Sequence, residues 1–173
     1  MGIKPQDILV LLKIIAMGNR NWRQSEIADE LGISRAEVSN ALERCAAVGL
    51  IDEDKRVPQR AALLEFIQYG LKYVFPAKPG PLCRGIATSH SAPPLAKKIV
   101  SEPGDAYVWP RADGDLRGQE IEPLYPSICS IDFKKAPRLY EMLALVDAVR
   151  VGRARERKLA VEELDKRFKE YHG

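Results

Sequence analysis

The sequence predicts a mainly α protein of the α+β type. It has a helical N-terminal block, a proline-rich irregular middle with a small β-hairpin, and a long helical C-terminal segment. Two observations carry that expectation. Only Pro5 and Pro58 fall in the first 75 residues, ten of the twelve prolines lie between Pro76 and Pro137, and none follows. Proline breaks helices and forces extended backbone, so the middle is set apart from both ends. At both ends, by contrast, apolar residues recur at the 3–4 spacing of a buried helical stripe. The expected organisation is residues 1–75, 76–136 and 137–173.

The first helix is expected from about Pro5, which suits a first helical turn, to Met17. Ile8, Leu11, Leu12 and Ile15 make its stripe, and Gly18-Asn19 ends it. A second runs from about Ser25 to Leu31 and stops at Gly32, a residue able to adopt the left-handed C-cap. Ser34 caps a third, and Glu37 three residues on completes a capping box. That helix continues to Val48 before Gly49. Leu50-Ile51 then starts a short strand, Asp52–Lys55 turns it back, and Arg56-Val57 returns. A fourth helix spans about Gln59 to Phe75, with Leu63, Leu64, Ile67, Leu71 and Val74 apolar. In the middle, a short helix is expected from Pro94 to Val100. Ala106–Trp109 and Gln119–Leu124 read as the arms of a hairpin around the Asp113-Gly114 turn. From Pro137 the stripe Leu139, Leu143, Val146, Val149 continues as Leu159, Leu164, Phe168, with Gly152 placed to kink or split the helix. Such a stripe serves equally for dimerisation or for folding back on the fourth helix.

The most specific feature is the run Gln24-Ser-Glu-Ile-Ala28-Asp-Glu-Leu31-Gly32-Ile33-Ser-Arg-Ala-Glu-Val38-Ser-Asn-Ala41-Leu42-Glu43. Ala28 is small where two helices cross closely, and Gly32 turns the chain between them. Ile27, Leu31, Ile33, Val38, Ala41 and Leu42 supply a shared core. This run resembles the helix-turn-helix of bacterial transcription regulators along its whole length. The continuation Val48-Gly49-Leu50-Ile51 into charged residues resembles the entry to the wing of winged-helix proteins, MarR-type regulators among them.

The resemblance implies a winged helix-turn-helix over residues 1–75 whose third helix, residues 35–48, enters the major groove of double-stranded DNA. It implies a cytoplasmic regulator, a dimeric repressor, with no cofactor. At 100° per residue, Val38, Ala41, Leu42 and Cys45 turn inward. Arg35, Ala36, Ser39, Asn40, Glu43 and Arg44 lie outward or at the flanks. Arg35 suits guanine and Asn40 adenine. Ser34 and Ser39 suit phosphates or base edges. Lys55 and Arg56 in the wing are candidates for the backbone or minor groove. Arg23 and Gln24 suit a phosphate at the start of the second helix.

Charge sets a second reading beside this one. The chain carries 27 basic and 24 acidic residues, a net charge of +3, which excludes a polycation that coats nucleic acid by charge alone. Glu43 and Asp52-Glu53-Asp54 oppose a phosphate backbone. Winged helices also serve as protein-docking modules, so an antitoxin or other module that binds a partner protein, such as a toxin, is the alternative. The basic stretch Arg150–Lys158 suits DNA phosphates, an acidic partner or solvent. Asp147 and Glu156 are placed to neutralise part of it by i,i+3 or i,i+4 pairs.

The other classes fare worse. Cys45, Cys83 and Cys129 are odd in number and form no CxxC pair, which fits a reducing cytoplasm. Cys83, His90 and Cys129 match no metal-ligand spacing. Ser89-His90-Ser91 has residue types for nucleophilic catalysis but no assigned base or oxyanion donor, so no enzyme is expected. No glycine-rich phosphate loop appears. The longest apolar stretch, Ile8–Met17, is interrupted by Lys13 and is too short to span a bilayer.

Overall fold

The computed structural model describes residues 2–102 and 104–171. The N-terminal helices are α1 (Pro5–Met17), α2 (Gln24–Leu31), α3 (Arg35–Ala47), α4 (Arg60–Tyr69) and α5 (Leu71–Val74). Three strands follow, β1 (Leu82–Ala87), β2 (Tyr107–Pro110) and β3 (Leu116–Glu120), and then α6 (Pro137–Val151) and α7 (Ala154–Lys169).

The local signals act as their chemistry dictates. Gly32 sits at φ +67°, ψ +35° and closes α2 in the left-handed conformation. Ser34 Oγ accepts the Glu37 N–H at 3.0 Å and caps α3. The capping box is only half formed, because the Glu37 carboxylate instead accepts a hydrogen bond from Gln6 Nε2 at 3.0 Å. Val38, Ala41, Leu42 and Cys45 are all fully buried, as the helical period requires.

Helix α1 is buried on every side. Ile8 through Ile15 have almost no exposure, Lys13 included, because α1 packs on α2 and α3 on one side and on α6 on the other. One apolar core therefore runs from the N-terminal helices into α6 and α7. The C-terminal helices pack on each other, and α7 lies along α4. Leu164 and Phe168 of the expected stripe are buried within the chain and Leu159 is half-buried, as a fold-back of that helix requires. Arg60 ties the two together: its guanidinium donates to the carbonyls of Phe168 (3.1 Å), Lys169 (3.2 Å) and Tyr171 (2.7 Å). These are the acceptors that a helix end leaves without intrahelical partners.

Three expectations need correction. The fourth helix breaks at Gly70, where the chain bends and the Phe66 and Phe75 rings meet edge to face at 6.4 Å. The wing has no extended ladder, only the bridge Ile51↔Pro58. Asp52 Oδ1 accepts the N–H groups of Arg56 (2.7 Å) and Val57 (2.9 Å) and so closes a tight loop. Proline offers no N–H to lengthen the pairing. The helix expected over 94–100 is one 3-10 turn, Leu95–Lys97. Of the two outcomes expected at Gly152, the chain takes the split: α6 ends there, and an added Cβ would lie 2.2 Å from the Ala148 carbonyl oxygen.

The middle departs most. The two arms of the expected hairpin run parallel, and β1, which the prolines left as extended chain, pairs antiparallel with both. The three strands close a small barrel. Gly85 of β1 pairs with Pro110 of β2 on one side and Leu116 of β3 on the other, so residues 111–115 cross over it. Only glycine fits that crossing: a Cβ on Gly85 would sit 1.9 Å from Trp109 O, and one on Gly114 2.2 Å from Gly85 O.

The barrel is fastened to α6 through a buried carboxylate. Asp147 accepts from Thr88 Oγ1 (2.7 Å), Trp109 Nε1 (2.6 Å) and Arg150 Nη1 (2.9 Å). Arg150 also donates to Phe75 O and Glu122 O. Burial pushes the Asp147 carboxyl above the ordinary range, against the pull of Arg150 and the hydrogen bonds from Thr88 and Trp109.

Candidate nucleic-acid interface

The candidate interface is built on α3. The inward face of α3 is held by α1 and α2, which leaves Arg35, Ala36, Asn40 and Glu43 exposed and Ser39 half-buried. Arg35 lies in the first turn, just beyond the Gly32 turn and the Ser34 cap. Arg35, Ser39 and Asn40 therefore stand on one accessible strip. Ser34 is exposed; its oxygen accepts the cap bond, and its hydroxyl proton stays available to donate.

Arg44 is the clearest correction. The helical wheel places it outward or at the flank, yet it is buried with 4% exposure. Its Nε donates to Asp7 Oδ2 at 2.8 Å and its Nη2 to Asp7 Oδ1 at 2.6 Å. A charged side chain three residues after inward-facing Ala41 lies at the edge of the core, and Asp7 draws it in. Arg44 is thus a structural strut between α1 and α3, out of reach of DNA.

The wing packs beside α3. Lys55, at φ +60°, forms an ion pair with Glu43. Arg56 stacks its guanidinium 3.9 Å from the Trp22 ring centroid and donates to Trp22 O at 3.1 Å. This stack fixes the wing to the α1–α2 connection. Sequence reading gave Trp22 no role; an indole just before a helix start, with an arginine in the wing, was its only signal. Arg23 is exposed at the N-cap of α2, without a side-chain cap, and Gln24 is half-buried behind it. The neighbouring Glu26 pairs with Arg20 at 2.5 Å, which moderates its repulsion of a phosphate at that helix end.

The other candidates do not assemble. His90 is buried, donates from Nε2 to the Asp105 carbonyl (2.9 Å), and packs on Tyr107. Ser91 Oγ accepts the Tyr107 N–H. These contacts anchor a turn to β2. Burial pushes the Cys45 thiol up to about 12 and raises those of Cys83 and Cys129, which keeps all three protonated. No group of three His, Cys, Asp or Glu side chains converges on a common point among the described residues. No helix there is long and apolar enough to cross a membrane.

A right-handed helix pair joined at a left-handed glycine, supported by α1 and followed by a short wing, is a winged helix-turn-helix, a fold of DNA-binding proteins. Residues 1–61 match the model of the MarR family, so the N-terminal segment is a MarR-like winged-helix DNA-binding domain of the kind that transcriptional regulators carry. No curated protein and no solved structure matches the chain.

Proposed function

We propose that the protein is a sequence-specific regulator that binds double-stranded DNA in the cytoplasm, reads the major groove with α3, and acts as a dimeric repressor. The observation that carries this reading is the accessible strip of Arg35, Ser39 and Asn40, which the packing of α1 and α2 leaves free beside the wing. Ala36 lies on the same strip and offers a methyl for apolar contact with thymine. Arg23, Gln24, Ser34, Lys55 and Arg56 surround it as phosphate contacts. One subunit presents few such cations, and Glu43 and the Asp52–Asp54 run lie among them. Two subunits on half-sites about 34 Å apart would double the contacts without new charge.

The test is a mobility shift against the gene's own upstream DNA and against random DNA. Arg35→Ala and Asn40→Ala are each expected to weaken operator binding by about 1–3 kcal/mol while sparing random-sequence binding. Equal loss on both would remove base readout by α3 from the proposal, and no binding even at low salt would overturn it.

The Glu43–Lys55 pair gives a second expectation. In Glu43→Gln the acidic charge facing DNA is gone and Lys55 is released toward a phosphate. Binding should tighten on operator and random DNA alike, and the dependence of log affinity on log salt should steepen by about one unit. An unchanged slope would show that Lys55 stays clear of the backbone.

A further inference from the structure

A second charged surface lies away from α3, between the end of α4 and the start of α7. Tyr69 at the end of α4 and Tyr73 in α5 are 68% and 73% exposed, and neighbouring Val74 is 52% exposed. Beside them is a groove of about 400 Å³, floored by Val149 and Val161 and walled by Tyr69, Lys72, Arg157 and Lys158. Lys72 lies 4.9 Å over the Tyr73 ring, and neither it nor Lys158 has an acidic partner among the described residues.

The charge of α7 runs against its own polarity. A helix N-terminus bears partial positive charge and favours acids. Here the first turns carry Arg153, Arg155, Arg157 and Lys158, and the one acid among them, Glu156, is spent accepting the Arg153 N–H at 2.8 Å. Local cost of this kind, beside exposed aromatic surface, marks a site whose complement comes from elsewhere.

We propose that this groove docks an acidic, amphipathic segment of a partner protein, with apolar residues on Val149, Val161 and the two tyrosines and carboxylates against Lys72, Arg157 and Lys158. Three features select that occupant. A second copy of the same face would set cation against cation, with Glu162 the one acid lining the groove. The operator does not reach it: the C-terminal end of α7 meets Arg60 next to the wing, and the 16-residue helix carries its start about 24 Å away. The apolar floor suits side chains better than phosphates. This inference stands apart from the reading of α3, since each surface has its own variants.

The test uses the full chain and a labelled synthetic helix with leucine and tyrosine on one face and glutamate on the other, followed by fluorescence anisotropy. The comparison ligands are polyglutamate and a single-stranded oligonucleotide. The amphipathic helix should bind at least about tenfold more tightly than either, a difference of about 1.4 kcal/mol. Lys72→Glu with Lys158→Glu, and separately Tyr69→Ser with Tyr73→Ser, should each abolish that preference while leaving operator affinity and its salt dependence as in the unaltered chain. Circular dichroism confirms that each variant is folded. Tighter binding of the oligonucleotide, or equal binding of polyglutamate, would overturn the proposal. So would a solution dimer that dissociates in the tyrosine variant, because the groove would then be the seat of a second copy.

Discussion

Arg44→Ala is expected to lower folding stability by about 3–5 kcal/mol, because it leaves the Asp7 carboxylate fully buried without its counter-charge. For a chain of this length the loss corresponds to a fall in Tm of roughly 6–20 °C. Operator binding should fall only as far as the folded fraction falls, in contrast to Arg35→Ala. The physical point lies in the asymmetry of a buried pair. Removing one charge strands the other, whereas removing both is tolerated. Asp7→Leu combined with Arg44→Met should therefore recover most of the stability, short of about 1 kcal/mol for the helix cap that Asp7 provides by accepting the Lys4 N–H. A stable Arg44→Ala protein that no longer binds DNA would return Arg44 to the interface.

Asp147→Ala is expected to cost as much, about 3–5 kcal/mol by thermal or urea unfolding. The carboxylate is the shared acceptor for Thr88, Trp109 and Arg150, so its removal leaves two buried donors and weakens the hold on a buried guanidinium. Two of those donors belong to the segment that forms the barrel and one to α6. The loss should therefore loosen the barrel on the helix, and the Trp109 emission should shift to the red in the folded state. Asp147→Asn keeps an acceptor for Trp109 and should cost less. A variant as stable as the original chain would show that the carboxylate's hydrogen bonds merely offset its desolvation.

How much of this was legible followed the range of each interaction. Helices α1 to α3 were readable because their signals are local: a 3–4 stripe, the left-handed turn at Gly32, the Ser34 cap. The same applies to the Leu139–Val149 stripe, to the break at Gly152 and to the i,i+3 pair of Asp147 with Arg150. The barrel was not readable, because its register joins Leu82–Gly85 to Leu116–Gln119 and the Asp113-Gly114 turn passes over a third strand instead of joining two. Glycines that permit a close crossing look, in sequence, like glycines that permit a turn. At the interface, the exposed strip of α3 follows from the helical period, and Arg35 and Asn40 lie on it. Arg44 escaped the period because its partner lies 37 residues earlier, on another helix. The stack of Arg56 on Trp22 was hidden for the same reason.

The complete burial of α1 has a consequence for how the protein can come apart. A helix flanked by α3 on one side and α6 on the other belongs to both halves, and neither half can shed it. Cutting the chain after residue 75 would strip α6 from α1 and bare an oily flank along a rod some 20 Å long. Such a fragment should aggregate, even though the winged helix-turn-helix lies wholly within it. The whole chain should melt in a single cooperative step, without a partly unfolded species in which the recognition helix outlives the C-terminal helices. The same rod is the shortest mechanical route by which a load placed on the far end of the molecule would reach α3.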